Sequence, residues 1–268
     1  MIKPALTASS FFLFYLMVFF SSCVTPEKLS DQAIAYLNQK QYHKAIDSYD
    51  KLIRKQPYNP GLYYNRALAT YTLNRFTEAE NDLTTAITLN PDFASAYQCR
   101  AACYYSKRNY PSAIADYSKC IELAPETAGA FLGRGMSYNA IRSHEKALKD
   151  VNNALRFKMD SAIVLYNRGI IYNNKKEYNL AIADLNIACR LWPDSFFVSY
   201  ARAFAYLNTN QYDKAAADFE SCVQHNIFKD TALANLSYIS LEQFDTTKAL
   251  NYLNRTLEIQ PRFIAVRI

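Results

Sequence analysis

The sequence predicts an all-α fold in which one helical hairpin is repeated seven times, and three observations support this prediction. Segments Gly133–Val151 and Asn167–Leu185, which begin 34 residues apart, carry Arg, Gly, Tyr, Ala and Asp at the same offsets. Only 5 of the 268 residues are Gly and 9 are Pro, so helix breakers are few. Hydrophobic residues make up 50% of the chain, which is enough for a sizeable core.

A step of 34 residues from Pro26 divides the chain without insertion or deletion. The windows, called repeats one to seven below and numbered internally from position 1, are 26–59, 60–93, 94–127, 128–161, 162–195, 196–229 and 230–263. Position 8 is small in every repeat, and position 20 is always Ala. Small side chains at both positions allow two helices to approach closely where they cross. A single hairpin cannot bury its apolar face alone, so neighbouring repeats must stack.

Position 32 lies in the connection to the next repeat, where Pro ends a helix. Five repeats have Pro there, but repeats four and six have Met159 and Ile227. At these two junctions we expect a less rigid connection or a longer preceding helix.

Small residues at positions 8 and 20, an aromatic near 11, an apolar residue at 24, a small residue at 27 and Pro at 32 resemble the tetratricopeptide repeat. The resemblance covers nearly all of residues 23–263. It implies an antiparallel pair of helices, A and B, in each repeat, and a right-handed superhelical solenoid of seven helix-turn-helix units. Arrays of this family usually close with a polar capping helix. Here a short stub, 264–268, follows, so the last stacking face is expected to be open to self-association.

An Arg at position 7 and an Asp at position 23 occur together in repeats two to six and are both absent from repeats one and seven. Because they appear and disappear together, we expect an ion pair between the two helices of one repeat, with an architectural role. The predicted pairs are Arg66 with Asp82, Arg100 with Asp116, Arg134 with Asp150, Arg168 with Asp184, and Arg202 with Asp218.

The resemblance also implies that helix A lines a concave groove for a protein or peptide partner. Carried onto this sequence, the groove is aromatic and Asn-rich and has almost no charge. Tyr offers a large amphipathic face, and Asn can bond an extended backbone. The candidate residues are Tyr64, Leu68, Tyr71, Gln98, Tyr105, Met136, Asn139, Tyr166, Ile170, Asn173, Phe197, Tyr200, Phe204, Asn208 and Tyr238. The alternative for each aromatic residue is packing between helices.

The first 22 residues are interpreted as an export signal. The apolar run Phe11–Phe20 is too short to span a bilayer but suits the hydrophobic region of a signal peptide. Two serines and Cys23 follow, which resembles the lipobox of bacterial lipoproteins. That resemblance implies cleavage before Cys23, lipidation of its thiol, and a protein exported and lipid-anchored to a bacterial membrane, periplasmic or surface-facing. An ordinary signal peptide and an uncleaved anchor are the alternatives.

No chemistry is indicated by the remaining residues. The three histidines lie far apart, and no phosphate loop, zinc motif or nucleophile elbow occurs, so we expect no catalytic residue, metal or cofactor. Cys99 and Cys103 are four residues apart, but without further ligands nearby they are interpreted as core residues. Basic residues are interspersed with acidic ones at a net charge of +6, so no nucleic-acid partner is expected.

The sequence therefore favours a membrane-anchored interaction scaffold that holds a protein or peptide partner in its groove, with a role in envelope assembly. Two alternatives remain at this point. One is a self-associating structural subunit, and the other is an enzyme concealed within the repeats.

Overall fold

The computed structural model describes residues 25–157 and 159–259, and its helices are named α1 to α14 in chain order. These residues form fourteen α-helices and no strand, which confirms the predicted all-α class of helix-turn-helix repeats. The chain divides into two compact units, unit one within residues 1–107 and unit two within residues 108–268. The predicted signal segment 1–22, Cys23 and the stub 264–268 lie outside the described residues.

Unit one holds five helices in which each contacts the next along the chain. They are α1 (Pro26–Asn38), α2 (Tyr42–Lys55), α3 (Pro60–Thr72), α4 (Phe76–Leu89) and α5 (Ala94–Ser106). Pro26 and Pro60 open α1 and α3, where the missing N–H and the fixed φ of proline favour a helix start. Helices α3 and α5, both of type A, also contact each other.

Unit two holds nine helices, from α6 to α14. They are α6 (Tyr110–Leu123), α7 (Ala128–Ala140), α8 (His144–Arg156), α9 (Ser161–Asn174), α10 (Tyr178–Leu191), α11 (Phe196–Asn208), α12 (Tyr212–Gln224), α13 (Lys229–Glu242) and α14 (Thr246–Ile259). Helix α9 contacts α7 and α11 in addition to its chain neighbours, so three A helices lie side by side. None of the described helices is both long and apolar enough to span a bilayer.

The turn inside each hairpin contains a residue in the left-handed conformation at position 15. Asn74, for example, has a φ of 59°, and Arg75 N–H bonds back to Thr70 O at 2.9 Å, which is the hydrogen-bond pattern of a Schellman motif. None of the seven residues at this position is Gly, although Gly is the usual choice for such a cap. The sequence therefore gave no glycine signal for these turns.

The small residues at positions 8 and 20 lie where two helices cross. Ala45, Ala79, Ala147, Ala181 and Ala215 are completely buried. A Cβ added to Gly169, at position 8, would lie 2.6 Å from Cγ of Leu185 on the facing B helix. The close approach of the two backbones thus excludes any larger side chain at this crossing.

The junctions without Pro at position 32 differ from the others. Before Pro57, Pro91, Pro125 and Pro193 the residue that ends helix B is extended, as the ring of a following Pro requires. Without Pro, α8 and α12 end one residue earlier, at Arg156 and Gln224, and Ile227 N–H bonds back to Cys222 O at 2.9 Å. The expectation of a longer preceding helix was wrong, because a helix cap replaces Pro as the stop signal. Helices α9 and α13 instead begin one residue earlier.

Candidate interaction surface

The Arg at position 7 forms a two-point ion pair with the Asp at position 23 of its own repeat. Nε of Arg134 donates to Oδ2 of Asp150 at 2.7 Å, and Nη2 donates to Oδ1 at 2.9 Å. Arg66 with Asp82, Arg168 with Asp184 and Arg202 with Asp218 have the same geometry, at 2.6–2.8 Å. Arg100 and Asp116 belong to different compact units, and their pairing stays a prediction.

The aspartates of these pairs are buried, whereas the arginines are half-buried. The hydrogen bonds to Asp150 raise the pKa of Arg134, and burial acts in the opposite direction. A carboxylate held in this way needs its partner, because a lone buried charge is strongly destabilising. The geometry is therefore that of a fixed contact between helices A and B.

The remaining nitrogen of each Arg reaches the preceding repeat, a contact that sequence reasoning missed. Nη1 donates to the side chain at position 25 of the upstream B helix, which lies sixteen residues earlier in the chain. The acceptors are Asp50 for Arg66, Thr84 for Arg100, Ser118 for Arg134, Asn152 for Arg168 and Asn186 for Arg202, at 2.5–3.2 Å. One guanidinium thus joins three helices, and it accepts carboxylate, hydroxyl and amide partners alike.

Repeat seven makes the same connection with different residues. Its position 7 is Leu236 and its position 23 is Tyr252, whose hydroxyl donates to Oε1 of Glu220 at position 25 of repeat six, at 2.7 Å. This contact joins α14 to α12 without an arginine. Position 25 of an upstream repeat therefore has a polar partner at this junction too.

The candidate groove residues of unit one lie on α3 and α5 and are partly buried. The rings of Tyr64 and Phe93 are 5.0 Å apart, and Cys99 Sγ donates to the Tyr64 hydroxyl at 3.8 Å. Burial raises the pKa of Tyr64. Tyr71 packs edge-on against Phe76 at 5.3 Å. These tyrosines pack between helices on one side and leave part of their surface accessible. The other candidates here, Leu68, Gln98 and Tyr105, are also partly buried.

In unit two, the candidates on α11 join an exposed aromatic cluster. Phe197 is 49% exposed and meets the ring of Phe228, 48% exposed, edge-to-face at 5.6 Å. Tyr200 lies 4.7 Å from Phe228 and donates its hydroxyl to Thr231 Oγ1 at 3.2 Å. Phe228 precedes α13 with a φ of 45°, a left-handed conformation that is strained for a bulky side chain. We call Phe197, Tyr200 and Phe228 the aromatic cluster. Phe228 was not among the predicted residues, because its role depends on the junction without Pro.

Further candidates lie on the same A helices of unit two. Phe204 packs edge-on against Tyr178 at a centroid distance of 6.5 Å. Tyr166 is partly buried and its pKa is raised by burial, while Asn208 and Tyr238 are exposed. Met136 and Ile170 are partly buried against the core.

Two predicted groove residues, Asn139 and Asn173, are instead buried, which corrects their assignment. Nδ2 of Asn173 donates to Ala201 O at 2.9 Å, across to α11. Oδ1 of Asn139 lies 3.1 Å from His144 Nδ1 and accepts from Asn174 Nδ2 at 3.2 Å. Their amides connect neighbouring helices, because the A helices approach too closely at this position to leave them facing solvent.

The cysteines and histidines do not form a reactive site among residues 25–157 and 159–259. Cys103 and Cys222 are buried, and burial raises the pKa of each thiol to about 12, which disfavours the nucleophilic thiolate. His225 stacks on Phe196 with ring centroids 3.7 Å apart. In this part of the chain no three His, Cys, Asp or Glu side chains come together as metal ligands would.

Family models of the tetratricopeptide repeat match residues 30–92, 94–126 and 198–224. The human RNA polymerase II-associated protein 3 is 40% identical over 65 residues, which are 24% of this chain and 10% of that protein. The DnaJ homolog subfamily C member 7 homolog of Dictyostelium discoideum is 40% identical over 62 residues, 22% of this chain and 12% of that protein. The matched stretch thus spans about a tenth of the length of these curated relatives.

Solved structures show the same fold at low sequence identity. A tetratricopeptide repeat protein from Parabacteroides merdae has a TM-score of 0.68 at 18% identity, over 89% of this chain and 94% of that one. YrrB, described as having an unusual peptide-binding site, has a TM-score of 0.56 at 24% identity, over 68% of this chain and 94% of that one. PilF of Pseudomonas aeruginosa has a TM-score of 0.67 at 16% identity, over 76% and 92%.

The fold and the family matches together define the class of protein. The chain carries tetratricopeptide repeats, as the 34-residue pattern predicted, and this architecture is that of a protein–protein interaction scaffold. Proteins with such repeats bind protein or peptide partners and are typically not enzymes.

Proposed function

We propose that this protein is a membrane-anchored scaffold, and that the aromatic cluster of unit two binds an extended apolar segment of a protein partner. Tyr166 and Phe204 on the neighbouring A helices extend this surface. Aromatic side chains supply large contact areas at a low cost in conformational entropy, and they dominate the energetics of many interfaces.

The observation that carries the proposal is the pair formed by Phe197 and Phe228. Two half-exposed rings pack edge-to-face on each other, and one of them is held by a strained left-handed backbone. Strain of this kind costs about 1–3 kcal/mol and persists mainly at binding and active sites. The thirteen other residues of α13 and α14 that follow in the core would pack equally well without an exposed aromatic at position 33. A ligand-binding role explains why this conformation is retained.

Photo-crosslinking in the cell that encodes the protein tests this proposal. The photoreactive residue p-benzoylphenylalanine is placed at Phe197 in the full chain, and a matched control carries it at Trp192, which is also exposed but lies before α11. We expect discrete protein adducts from position 197, lost when Phe228→Ser is added. Identical adducts from both positions would contradict a binding role of the cluster.

The membrane anchor is proposed from the sequence of residues 11–23 alone. Cleavage before Cys23 and acylation of its thiol would attach the repeats to a bacterial membrane through several acyl chains, which bind more stably than a single chain. A role in envelope assembly follows from this location.

Metabolic labelling with palmitate tests the anchor. We expect the label in the wild-type chain and its loss, together with release from the membrane fraction, in the variant Cys23→Ser. A chain that stays unlabelled, or whose label persists after this substitution, would contradict lipidation at Cys23.

A further inference from the structure

The outer side of α14 differs from the same side of every earlier B helix. Position 24 is almost completely buried in repeats one to six, where its exposure is 0–6% (Tyr49, Leu83, Tyr117, Val151, Leu185 and Phe219). In repeat seven this position is Leu253, which is 37% exposed, and Leu250 one turn earlier is 59% exposed. Asn254 at position 25 is exposed beside them. We call Leu250, Leu253 and Asn254 the terminal face.

Upstream, this side of helix B is covered by helix A of the next repeat. In unit two, Leu185 of α10 shares a core cluster with Val198 and Ala205 of α11, at positions 3 and 10. Val151 of α8 clusters in the same way with Val164 and Ile171 of α9. In unit one, Leu83 of α4 clusters with Ala96 and Cys103 of α5.

The helix that covers each face also contributes a charged contact. The Arg at position 7, halfway between positions 3 and 10, donates to position 25 of the covered helix, as Arg168 does to Asn152 at 2.8 Å. The covering helix therefore has a constant chemistry: an apolar residue at i, an Arg at i+4 and a small or apolar residue at i+7. Leu62, Arg66 and Ala69 form one such set, and Val198, Arg202 and Ala205 form another.

We propose that the terminal face binds an amphipathic helix of a partner chain that carries this pattern. The partner's apolar residues at i and i+7 cover Leu250 and Leu253, and its Arg donates to Asn254. The interface continues the stacking interface already present within both units, and it is separate from the aromatic cluster.

The first helix of a second copy does not have this chemistry. In α1 the equivalents of positions 3 and 7 are Lys28 and Gln32, and both are exposed, as are Glu27 and Asp31 beside them. A lysine in place of the apolar residue would be buried without a partner against Leu253, at a high cost in desolvation. Head-to-tail self-association is therefore disfavoured, and the occupant is a different chain.

A helical peptide of defined sequence tests the proposal. The probe is residues 161–174 of this chain, with Val164, Arg168 and Ile171 in the required pattern, held helical by a side-chain cross-link on the opposite face because short helices are marginal in water. We expect saturable 1:1 binding to the intact chain in a fluorescence titration. Leu253→Asp should weaken binding at least tenfold, and Asn254→Ala should weaken it roughly 3- to 10-fold.

The matched control is Leu180→Asp on α10, an exposed leucine outside the terminal face, which should leave binding unchanged. A probe with Arg168→Ala should bind the wild-type chain as weakly as the normal probe binds the Asn254→Ala variant. Circular dichroism of each variant reports folding, and Asn254→Ala, an exposed substitution, keeps the test valid if Leu253→Asp unfolds. Absence of saturable binding, equal losses for Leu253→Asp and Leu180→Asp, or a chain dimer dissolved by Leu253→Asp would overturn the proposal.

Discussion

Nη1 of Arg202 lies 3.1 Å from Oδ1 of Asn186, so the guanidinium of one repeat is hydrogen-bonded to the B helix of the repeat before it. The same oxygen accepts from the hydroxyl of Tyr206, also at 3.1 Å. We expect Asn186→Ala to lower the free energy of unfolding by about 1–3 kcal/mol, because two partly buried donors lose their acceptor.

Asn152→Ala is the matched control for this substitution. Its side chain is exposed and accepts from a single partner, Arg168, so the loss should be about 1 kcal/mol or less. Urea unfolding of both variants measures the difference. Equal losses would show that the contact between repeats contributes nothing beyond an exposed hydrogen bond.

The pair of Arg134 and Asp150 should be energetically coupled. Arg134→Leu leaves a buried carboxylate without its cation and should cost about 3–5 kcal/mol, whereas the double variant with Asp150→Leu should cost clearly less than the sum of the two single variants. A double-mutant cycle from urea unfolding gives the coupling. Arg75→Ala, which breaks an exposed pair with Glu78, serves as the control and should have little effect. Additive losses at Arg134 and Asp150 would refute the architectural role.

Gly169→Ala should destabilise unit two although Ala is common at position 8. The new Cβ would lie 2.6 Å from Cγ of the buried Leu185, so we expect a net loss of about 1–2 kcal/mol despite the better helix propensity of Ala. Adding Leu185→Val, which gives the pair found as Ala and Val elsewhere in size, should recover part of this loss. Gly61→Ala, 3.3 Å from the tip of Asn59, should be nearly neutral in the same thermal melts.

Stability should fall as the pH rises from about 9 to 12. Burial raises the pKa of Cys222 and Cys103 from 9.0 to about 12, so the unfolded chain loses these protons first. Fewer protons are then bound in the unfolded state than in the folded state, and the free energy of unfolding decreases with pH over this interval. The stabilisation is complete below pH 9.

Cys222→Ala isolates one of these thiols, since Ala already occupies position 27 in three other repeats. Urea unfolding at pH 8 and pH 10.5 should show a smaller decrease with pH for this variant than for the wild type. An identical decrease in both proteins would mean that the thiol does not contribute.

The repeat period identified the helix pairs, because small and apolar residues recur at positions whose environment is the same in every hairpin. The pairing of Arg with Asp was also readable, since both types are invariant in five repeats. The acceptor at position 25 was not, because Asp50, Thr84, Ser118, Asn152 and Asn186 share only a polar atom within reach of an arginine.

The surface was harder to predict than the fold. Tyr200 and Phe197 were assigned to the groove from their positions, but burial of Asn139 and Asn173 depends on how closely adjacent A helices approach, which a position number does not encode. Phe228 was missed because its exposure follows from a cap at Asn226 that replaces Pro, with a φ of 58°.

Because each arginine tolerates a carboxylate, a hydroxyl or an amide on the upstream helix, the boundary between hairpins is largely indifferent to which hairpin comes next. A block of 34 residues could be duplicated, deleted or exchanged during evolution without compensating changes on either side. The chain's length is thus a property that gene duplication could adjust in whole blocks, while the joint between blocks stayed the same.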